Sequence, residues 1–538
     1  MDLYRSKELN CGFVCGDVSC LFLNSIHDKP RKQWISIQQE MTSSKYLNKK
    51  APQLNFAFKY TQKKFKRGDS LFMTVSPTSP KTHQLVDFRG NSINENGLFD
   101  VIIIGSGPAG SSLGAELSKQ NASLSVLIID PVLDRRWPAN YGVWMHEFEK
   151  TGYSKDVAIE WPKTSVFMKD GNEKLCFDLT YARIDRDRLK KSLFEDCSSA
   201  GYQFLQASVD FIDESDVNKT SVNIKTNDGT HHHLSSRLVI DATGHNLKFA
   251  KFQTEHEPGY QAAYGIECEV SEHNFPLDEM VLMDYRSEHM KGSASEIEEA
   301  ENTPLFLYVM PLSPTRIFLE ETSLIASPAV SFEYLKKQLY KRLHYMNVQV
   351  KNVEEEEFCL IPMGGSMPRL DQRIVAFGGA AGFVHPSTGY SVTRTMNQAR
   401  LTAPFISKTL QDHGAGPVDE LSTKIWNHIW SPTRIRQRDF LVFGGDVLQK
   451  LKLSPLREFF CAFFALDVKL WSEFLAFGLL QPQERLVYGL QVFFNTSNRV
   501  RKELVSNAIF NGGPDFFFSV LPLGFNAAEV ESEQKSKW

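Results

Sequence analysis

Three glycines, Gly105, Gly107 and Gly110, followed by Asp130, are the residues whose types and spacing most directly imply chemistry. The first suits a tight turn, the second lets backbone approach a pyrophosphate, and the third lets a helix pack closely on a strand. An acid closing the next strand can accept hydrogen bonds from an adenosine ribose. A second glycine-rich junction, Gly378, Gly379 and Gly382, stands far along the chain, and Asp241-Ala242-Thr243-Gly244 lies between the two. Two such junctions with a small-residue turn between them fit an extended FAD better than a nicotinamide dinucleotide. Arg186 is placed to pair with the phosphates, whereas Arg183 and Arg188 beside it read as a solvated helix face. Two adjacent carboxyls, Glu320 and Glu321, sit in an apolar strand-like run, where neighbours point to opposite faces. One can then face a cavity while the other supports the sheet; on the residues alone, two exposed strand carboxylates fit equally well.

These residues need elements to hold them. Residues 101–104 read as a buried parallel strand, 111–119 as a helix whose first N–H groups face an anion, and 126–129 as a second strand. The aromatic turn at 137–144 follows at once and can return over the cofactor. Residues 203–212 and 221–226 alternate like a half-buried hairpin layer, and 238–240 is another buried strand. Strands at 264–270, 281–285, 306–310 and 317–321 predict a second, mainly antiparallel sheet, with 287–302 as an acidic surface loop. A last buried strand spans 374–377, and the chain from about 421 is helical and aromatic. The expected fold is α/β: a Rossmann-like FAD-binding domain in two parts, 98–254 and 366–420. A substrate sheet at 255–365 is inserted between them, and a C-terminal helical region covers 421–538.

A chain of 538 residues is long enough for two or three domains. The formal net charge of -4 offers no electrostatic reason for a nucleic-acid partner. Eight cysteines show neither a C-x-x-C pair nor a zinc spacing, so no metal site is expected. No run reaches 18 uncharged apolar residues, which argues against a spanning helix. Through Pro80 there are thirteen Lys and Arg against six Asp and Glu, with many hydroxyl residues. Residues 1–97 therefore read as an organelle transit segment, cleaved before Phe99, in preference to a merely disordered tail.

Several blocks together resemble the lycopene cyclase family of carotenoid biosynthesis, which is similar in fold to FAD-dependent hydroxylases. They are IIIGSGPAG (102–110), WPANYGVW (137–144), YARIDRDRL (181–189), VIDATG (239–244), GYQAAYG (259–265), MDYR (283–286), FLEET (318–322), IPMGG (361–365) and GGAAGFVHPSTGY (378–390). FLEET, MDYR and HPSTGY in that order carry the specificity. Gly379 stands where many flavoproteins have an acid after the last strand, which speaks against an ordinary hydroxylase.

The resemblance implies closure of the ends of linear lycopene into β-type rings, without net redox change, using reduced FAD and NAD(P)H as reductant. An ε-cyclase or a neoxanthin- or capsanthin-type rearranging enzyme shares these motifs. An FAD monooxygenase, a polyene reductase and a non-catalytic carotenoid-binding scaffold are more distant alternatives. Glu320 or Glu321 would be the proton donor, with a pKa raised by desolvation, and His385 would orient a carboxylate or the flavin edge. Tyr141, Trp144, Tyr285 and Tyr390 would offer aromatic faces to a cation, with Phe318 and Asp284 beside them. A structural ion pair of Asp284 with Arg286 competes with that role. Plastid location, peripheral membrane association and contact with other carotenoid-pathway enzymes follow from the same resemblance. The helices of the aromatic run at 459–480 are expected to lie on the bilayer, with most of the residues packed inward and a subset open to lipid.

Overall fold

The computed structural model describes residues 85–522 except 255–257, 415 and 511, together with residues 526, 528 and 530. The transit segment expected over 1–97 lies outside the described residues as far as residue 84.

Strand Leu98–Ile104 occupies the centre of a parallel sheet. Val101, Ile102, Ile103 and Ile104 are all buried, as a strand covered on both faces requires. Val126–Asp130 pairs with it on one side and the second half of His231–Asp241 on the other, both parallel. Gln203–Asp213 and Val375–Ala376 extend the sheet outward in the same direction. Thr220–Thr226 runs antiparallel to both long strands, so the expected hairpin layer continues this sheet. Helices Pro108–Gln120, Arg186–Ser199, Val392–His413 and Val418–Ile429 share one core with Val101, Ile103 and Ile128. Because Leu421, Ile425 and Trp426 belong to that core, the helix around 421 packs with the parallel sheet and not with the aromatic helices after it.

The fold also begins before residue 98. Val86 and Ser92 form a β-bridge, the Phe88 N–H donates to the Phe204 carbonyl at 2.7 Å, and Leu85 and Ile93 pack with Phe99 and Leu205. Two isolated apolar residues in a polar stretch carry no period, so this turn reads as leader in the sequence.

The second sheet has seven strands, in the order Val350–Met363, Gly259–Val270, Arg316–Ser323, Leu305–Ser313, Glu279–Asp284, Lys163–Phe167 and Leu175–Phe177. All neighbours are antiparallel except Glu279–Asp284 with Lys163–Phe167. Helix Phe332–Tyr345 covers one face through Leu335, Leu339 and Leu343, against Ile266, Ile317 and Leu319. The other face presents Phe306, Met310 and Phe318 to the C-terminal helices. A small sheet of Gly142–Trp144, Tyr181–Ile184 and Val157–Trp161 stands between the two cores. Its alternation divides it: Val143, Ala182 and Ile184 face the nucleotide-type core, Trp144 and Tyr181 the aromatic one.

Two expectations are corrected here. Residues 294–302 of the acidic stretch form helix Ala294–Asn302, because the Ser293 hydroxyl accepts the Glu296 N–H as an N-cap. The aromatic run at 459–480 packs inward without the expected lipid-facing subset: Phe460, Phe463, Phe464, Trp471, Phe474 and Phe477 are all buried in the core shared with the second sheet. Aromatic content marks burial here, and the interruptions by Asp467, Lys469 and Glu473 mark the solvent side of short helices. Among the described residues no helix is long and apolar enough to cross a membrane.

Since Ile93 is buried against the parallel sheet, Ile93→Ala should lower unfolding free energy by about 2 to 5 kcal/mol. Urea unfolding would show this; an unchanged midpoint would mean that the 85–97 turn does not dock.

Candidate active site

Alternation along Arg316–Ser323 sends Phe318, Glu320 and Thr322 to the aromatic face and Ile317, Leu319 and Glu321 to the helix-covered face. The two neighbouring glutamates then meet opposite fates. Glu321 is fully buried and forms a two-pronged ion pair with Arg342 of helix Phe332–Tyr345, at 2.8 Å from Nε and 2.6 Å from Nη2. Burial alone would lower the Arg342 pKa, but the Glu321 carboxylate more than offsets it and holds the guanidinium charged. Glu321 is the member that fastens a helix to the sheet.

Glu320 has no such partner. Its Oε1 accepts the Thr322 hydroxyl at 2.9 Å, and among the described residues no cation lies within ion-pair distance. Burial, reinforced by the charge of Glu357, pushes its pKa up to about 8. Around it stand Tyr181 and Tyr308, with Trp144, Met310 and Phe318 in the same cluster. Burial pushes the Tyr181 phenol up to about 12 and that of Tyr308 well above its ordinary value. Both therefore stay neutral beside the acid. Gly142 makes room for them, since a Cβ there would lie 2.3 Å from the Tyr308 hydroxyl and 2.6 Å from Tyr181 Cε1. A protonated carboxyl walled by aromatic faces is a device for delivering a proton and holding the resulting cation. Glu320 itself stays half-buried. A polar cleft of about 230 Å³ between Glu116, Glu147, Lys150, Arg394 and Arg400 lies elsewhere and includes none of these residues.

Arg183 and Arg186 do not take the places expected for them, whereas Arg188 does. Arg183 lies on strand Tyr181–Ile184, not on a helix face, and donates from Nη2 to Glu267 and from Nε to the Asn140 side chain, each at 2.6 Å. Arg186 is buried, with Nη1 on the carbonyls of Trp137 and Pro138 at 3.1 and 2.9 Å and Nη2 forked onto Glu355. Its guanidinium is thus committed to the 137–141 turn and the Val350–Met363 strand, with no edge left for a phosphate. Arg188 remains exposed and pairs with Asp185, the cap of its own helix.

His385 is completely buried between Phe474 and Phe477. Its Nε2 meets the Phe474 carbonyl at 2.9 Å and its Nδ1 accepts the Ser387 N–H at 3.1 Å. Burial lowers its pKa to about 3, so it is a neutral tether between glycine loop and helix, with both nitrogens occupied. Asp284 is likewise taken up by the Arg286 Nε at 2.9 Å, the structural pair, and has no place at the glutamate face. Tyr285 is buried between Phe306 and Phe460, with its hydroxyl unpartnered. Trp144 meets Tyr181 edge-on at 4.8 Å; Tyr390 donates its hydroxyl to Thr393, and Tyr141 packs on Trp137.

The glycine segments converge. A Cβ at Gly105 would lie 2.5 Å from the Ala242 carbonyl oxygen, one at Gly378 would lie 2.4 Å from Ala109 Cβ, and one at Gly379 would lie 3.3 Å from the Gly244 carbonyl carbon. Both Gly105 and Gly378 also adopt positive φ, which a side chain would strain. At Gly107, which opens helix Pro108–Gln120 with no side-chain cap, the space a Cβ would take is empty. Gly110 packs on the Gly105 carbonyl, and Gly382 closes the last turn in the left-handed region. An uncapped helix start behind an open glycine, flanked by two further backbone turns, fits an extended dinucleotide. Asp130 stays half-exposed at the strand end, with Oδ2 on the Ser106 N–H at 2.8 Å. Asp241 faces inward: it accepts from Thr243, Phe249 and Ala250, so it shapes the turn and cannot itself reach a ligand.

Three groups at the glutamate face escape sequence reasoning. Glu357 lies in an acidic run outside the motifs, and Tyr181 and Tyr308 carry no charge to draw attention. Only strand register could have brought them to Glu320.

A family model described as lycopene cyclase protein matches residues 100–502. The chain is 38% identical over 443 residues to a chloroplastic/chromoplastic lycopene beta cyclase of Capsicum annuum, covering 82% of this chain and 87% of the relative. It is also 38% identical over 408 residues to a chromoplastic capsanthin/capsorubin synthase of Citrus sinensis, covering 76% and 80%. Among solved structures, a geranylgeranyl bacteriochlorophyll reductase-like protein of Thermoplasma acidophilum superposes with a TM-score of 0.56 at 14% identity, covering 76% of this chain and 100% of that one. That likeness shows a shared fold.

The two glutamates should separate on substitution. Glu321→Gln leaves the Arg342 charge buried without its partner and should cost about 3 to 5 kcal/mol of stability. Between the ordinary carboxyl range and about pH 8 the folded chain holds a proton on Glu320 that the unfolded chain releases. Stability therefore falls as pH rises through that window, and Glu320→Gln should remove this slope without lowering the midpoint. Thermal unfolding between pH 5 and pH 8 (roughly the window set by the shifted carboxyl) checks both; equal losses from the two variants would refute the division of roles.

Proposed function

The chain belongs to the lycopene cyclase family, and we propose that it closes the ends of linear lycopene into β-ionone rings, with Glu320 as the proton donor. The observation that carries this is the contrast within FLEET: Glu321 is neutralised by Arg342, whereas Glu320 is half-buried beside aromatics and held protonated. Protonating a terminal alkene requires an acid kept neutral near pH 7 and poised against apolar substrate. Thr322 orients the carboxyl through its hydroxyl. Tyr181, Tyr308, Trp144 and Phe318 exclude water, which would trap a tertiary cation, and present π faces to it.

The glycine turns 105–110, 242–244 and 378–382 would hold FAD, with Gly107 and the start of helix Pro108–Gln120 at the pyrophosphate and Asp130 at the ribose. Bound in its NAD(P)H-reduced form, FAD supplies negative charge that stabilises a developing cation electrostatically. The product is an isomer of the substrate, so ring closure needs no net electron transfer.

Plastid location agrees with the names of the chloroplastic and chromoplastic relatives, and the substrate class requires access to lipid. Support for a peripheral membrane face comes from the last helices. Leu486, Val487, Leu490 and Phe494 line one side of Pro482–Asn495, and Val505, Ile509 and Phe510 are exposed on Asn498–Phe510. Phe517 and Phe518 of Gly513–Val520 continue the apolar surface, with exposed Arg499 and Lys502 near it.

Glu320→Gln should reduce cyclisation at least about 100-fold while flavin content and unfolding midpoint stay unchanged. The measurement is carotenoid product formed from lycopene by holoenzyme under reducing conditions. Full activity of this variant would remove Glu320 from its role, and stoichiometric NAD(P)H consumption by the parent would replace a cyclase with a redox enzyme. The paired substitution Phe494→Asp and Ile509→Asp should reduce flotation with anionic liposomes several-fold; undiminished flotation would place the membrane contact on another surface.

A further inference from the structure

The aromatic face of the second sheet carries four acids. Glu320 lies on Arg316–Ser323, Glu267 on the adjoining Gly259–Val270, and Glu355 and Glu357 on Val350–Met363. Two of them are neutralised. Glu267 pairs with Arg183 and Arg316, and Glu355 pairs with Arg186 and Arg136. Among the described residues the other two have no cation within ion-pair distance. These two are also register neighbours. Gly265 is directly opposite Glu320 on one side and directly opposite Glu357 on the other. Residues directly opposite in adjacent strands point to the same face, so both carboxyls project over the one residue between them that has no side chain. A Cβ at Gly265 would lie 2.8 Å from Phe318 Cζ and 3.4 Å from Glu320 Cβ.

The two carboxyls differ in what surrounds them. Glu357 Oε1 accepts the Asn140 N–H at 3.0 Å and the Cys359 thiol at 2.9 Å. Asn140 is itself fixed by Arg183, and its turn is fastened by Arg186. Glu320 receives only the Thr322 hydroxyl, a group that can serve either protonation state. Donors that stay donors favour the ionised form of Glu357, and the charge beside it then penalises ionisation of Glu320. Burial raises the Glu357 pKa as well, so the two compete for a proton.

We propose that Glu357 is a positioning residue for the proton transfer: it is the ionised member of a two-carboxyl pair over Gly265 and keeps Glu320 protonated. This rests on the reading of Glu320 as the acid. The proton balance closes on the pair. Glu320 gives one proton to the alkene as a C–H bond forms; ring closure makes a C–C bond from the internal alkene electrons, and loss of one C–H proton restores a double bond. One proton enters the polyene and one leaves it, so the pair ends with the single proton it held at the start.

The test is the pH dependence of kcat/KM for lycopene in liposomes, with FAD-loaded full-length protein and its Glu357→Gln, Glu357→Asp, Cys359→Ala and Glu320→Gln variants. Removing the Glu357 charge should move the alkaline limb to lower pH by roughly one unit. Glu357→Asp should restore it in part. Cys359→Ala keeps both carboxyls but takes a donor from Glu357, and should move the limb the same way by less. It decides the matter if Glu357→Gln does not fold. A merely structural role for Glu357 would lower the rate at all pH values without moving the limb, and coincident limbs in the folded variants would overturn the proposal. If Glu320→Gln is itself active, the underlying assignment of the acid fails; if it is inactive while the Glu357 variants keep the parental limb, only the present proposal fails.

Discussion

A half-buried carboxyl among aromatic side chains, with no cation beside it among the described residues, is the constraint on which the rest of this structure depends. Such a group is unstable as an anion and stays protonated, and the surroundings must keep both water and guanidinium groups away from it. Arginines are close by. Arg183, Arg186 and Arg316 all lie at the same face, yet each is consumed by another acid or by backbone carbonyls. Glu354 and Glu355 thus supply partners for Arg316 and Arg186, charges that would otherwise quench Glu320. Arg342 is held on the far side of the sheet by Glu321.

The same interactions join the segments that carry the family motifs. Arg186 ties the turn after the second strand to the Val350–Met363 strand, and Asn140 of that turn reaches Glu357. His385, in the last glycine loop, anchors the Phe474 carbonyl and so draws Val468–Leu475 down onto the sheet. The chemistry is thereby shared between a dinucleotide-type sheet, an inserted sheet and a helical cover, each contributing a wall. Tyr181 and Trp144, on the small sheet between the cores, belong to the wall around Glu320 while their neighbours Ala182 and Val143 belong to the nucleotide core. Displacing either core would alter the other through three residues of strand.

The local features were legible from residue order. β-branched runs, glycine spacing and strand alternation depend on a few consecutive side chains, and Leu98–Ile104, the helix behind it and the opposite orientations of Glu320 and Glu321 follow from them. Misreadings arose where one residue type serves two ends. Arg186 and Asp241 have the chemistry to meet a cofactor, but a guanidinium satisfies carbonyls as well as phosphates, and a carboxylate satisfies backbone N–H groups as well as ribose. The phenylalanines after residue 459 fit a membrane surface and a buried core equally well until their partners are known.

By itself, the sequence determined that this chain joins a dinucleotide-type fold to an inserted sheet, and that two adjacent glutamates point to opposite faces of one strand. Those are consequences of the two-residue period and of glycine stereochemistry, which need no distant partner. Only the tertiary structure decided which glutamate is paired and which stays protonated, because that turns on the whereabouts of Arg342, 21 residues away in the chain, and on Glu357, which reaches Glu320 through the pairing of three strands. Protonation is set by the charges that folding brings near, and strand register, not residue order, chooses them.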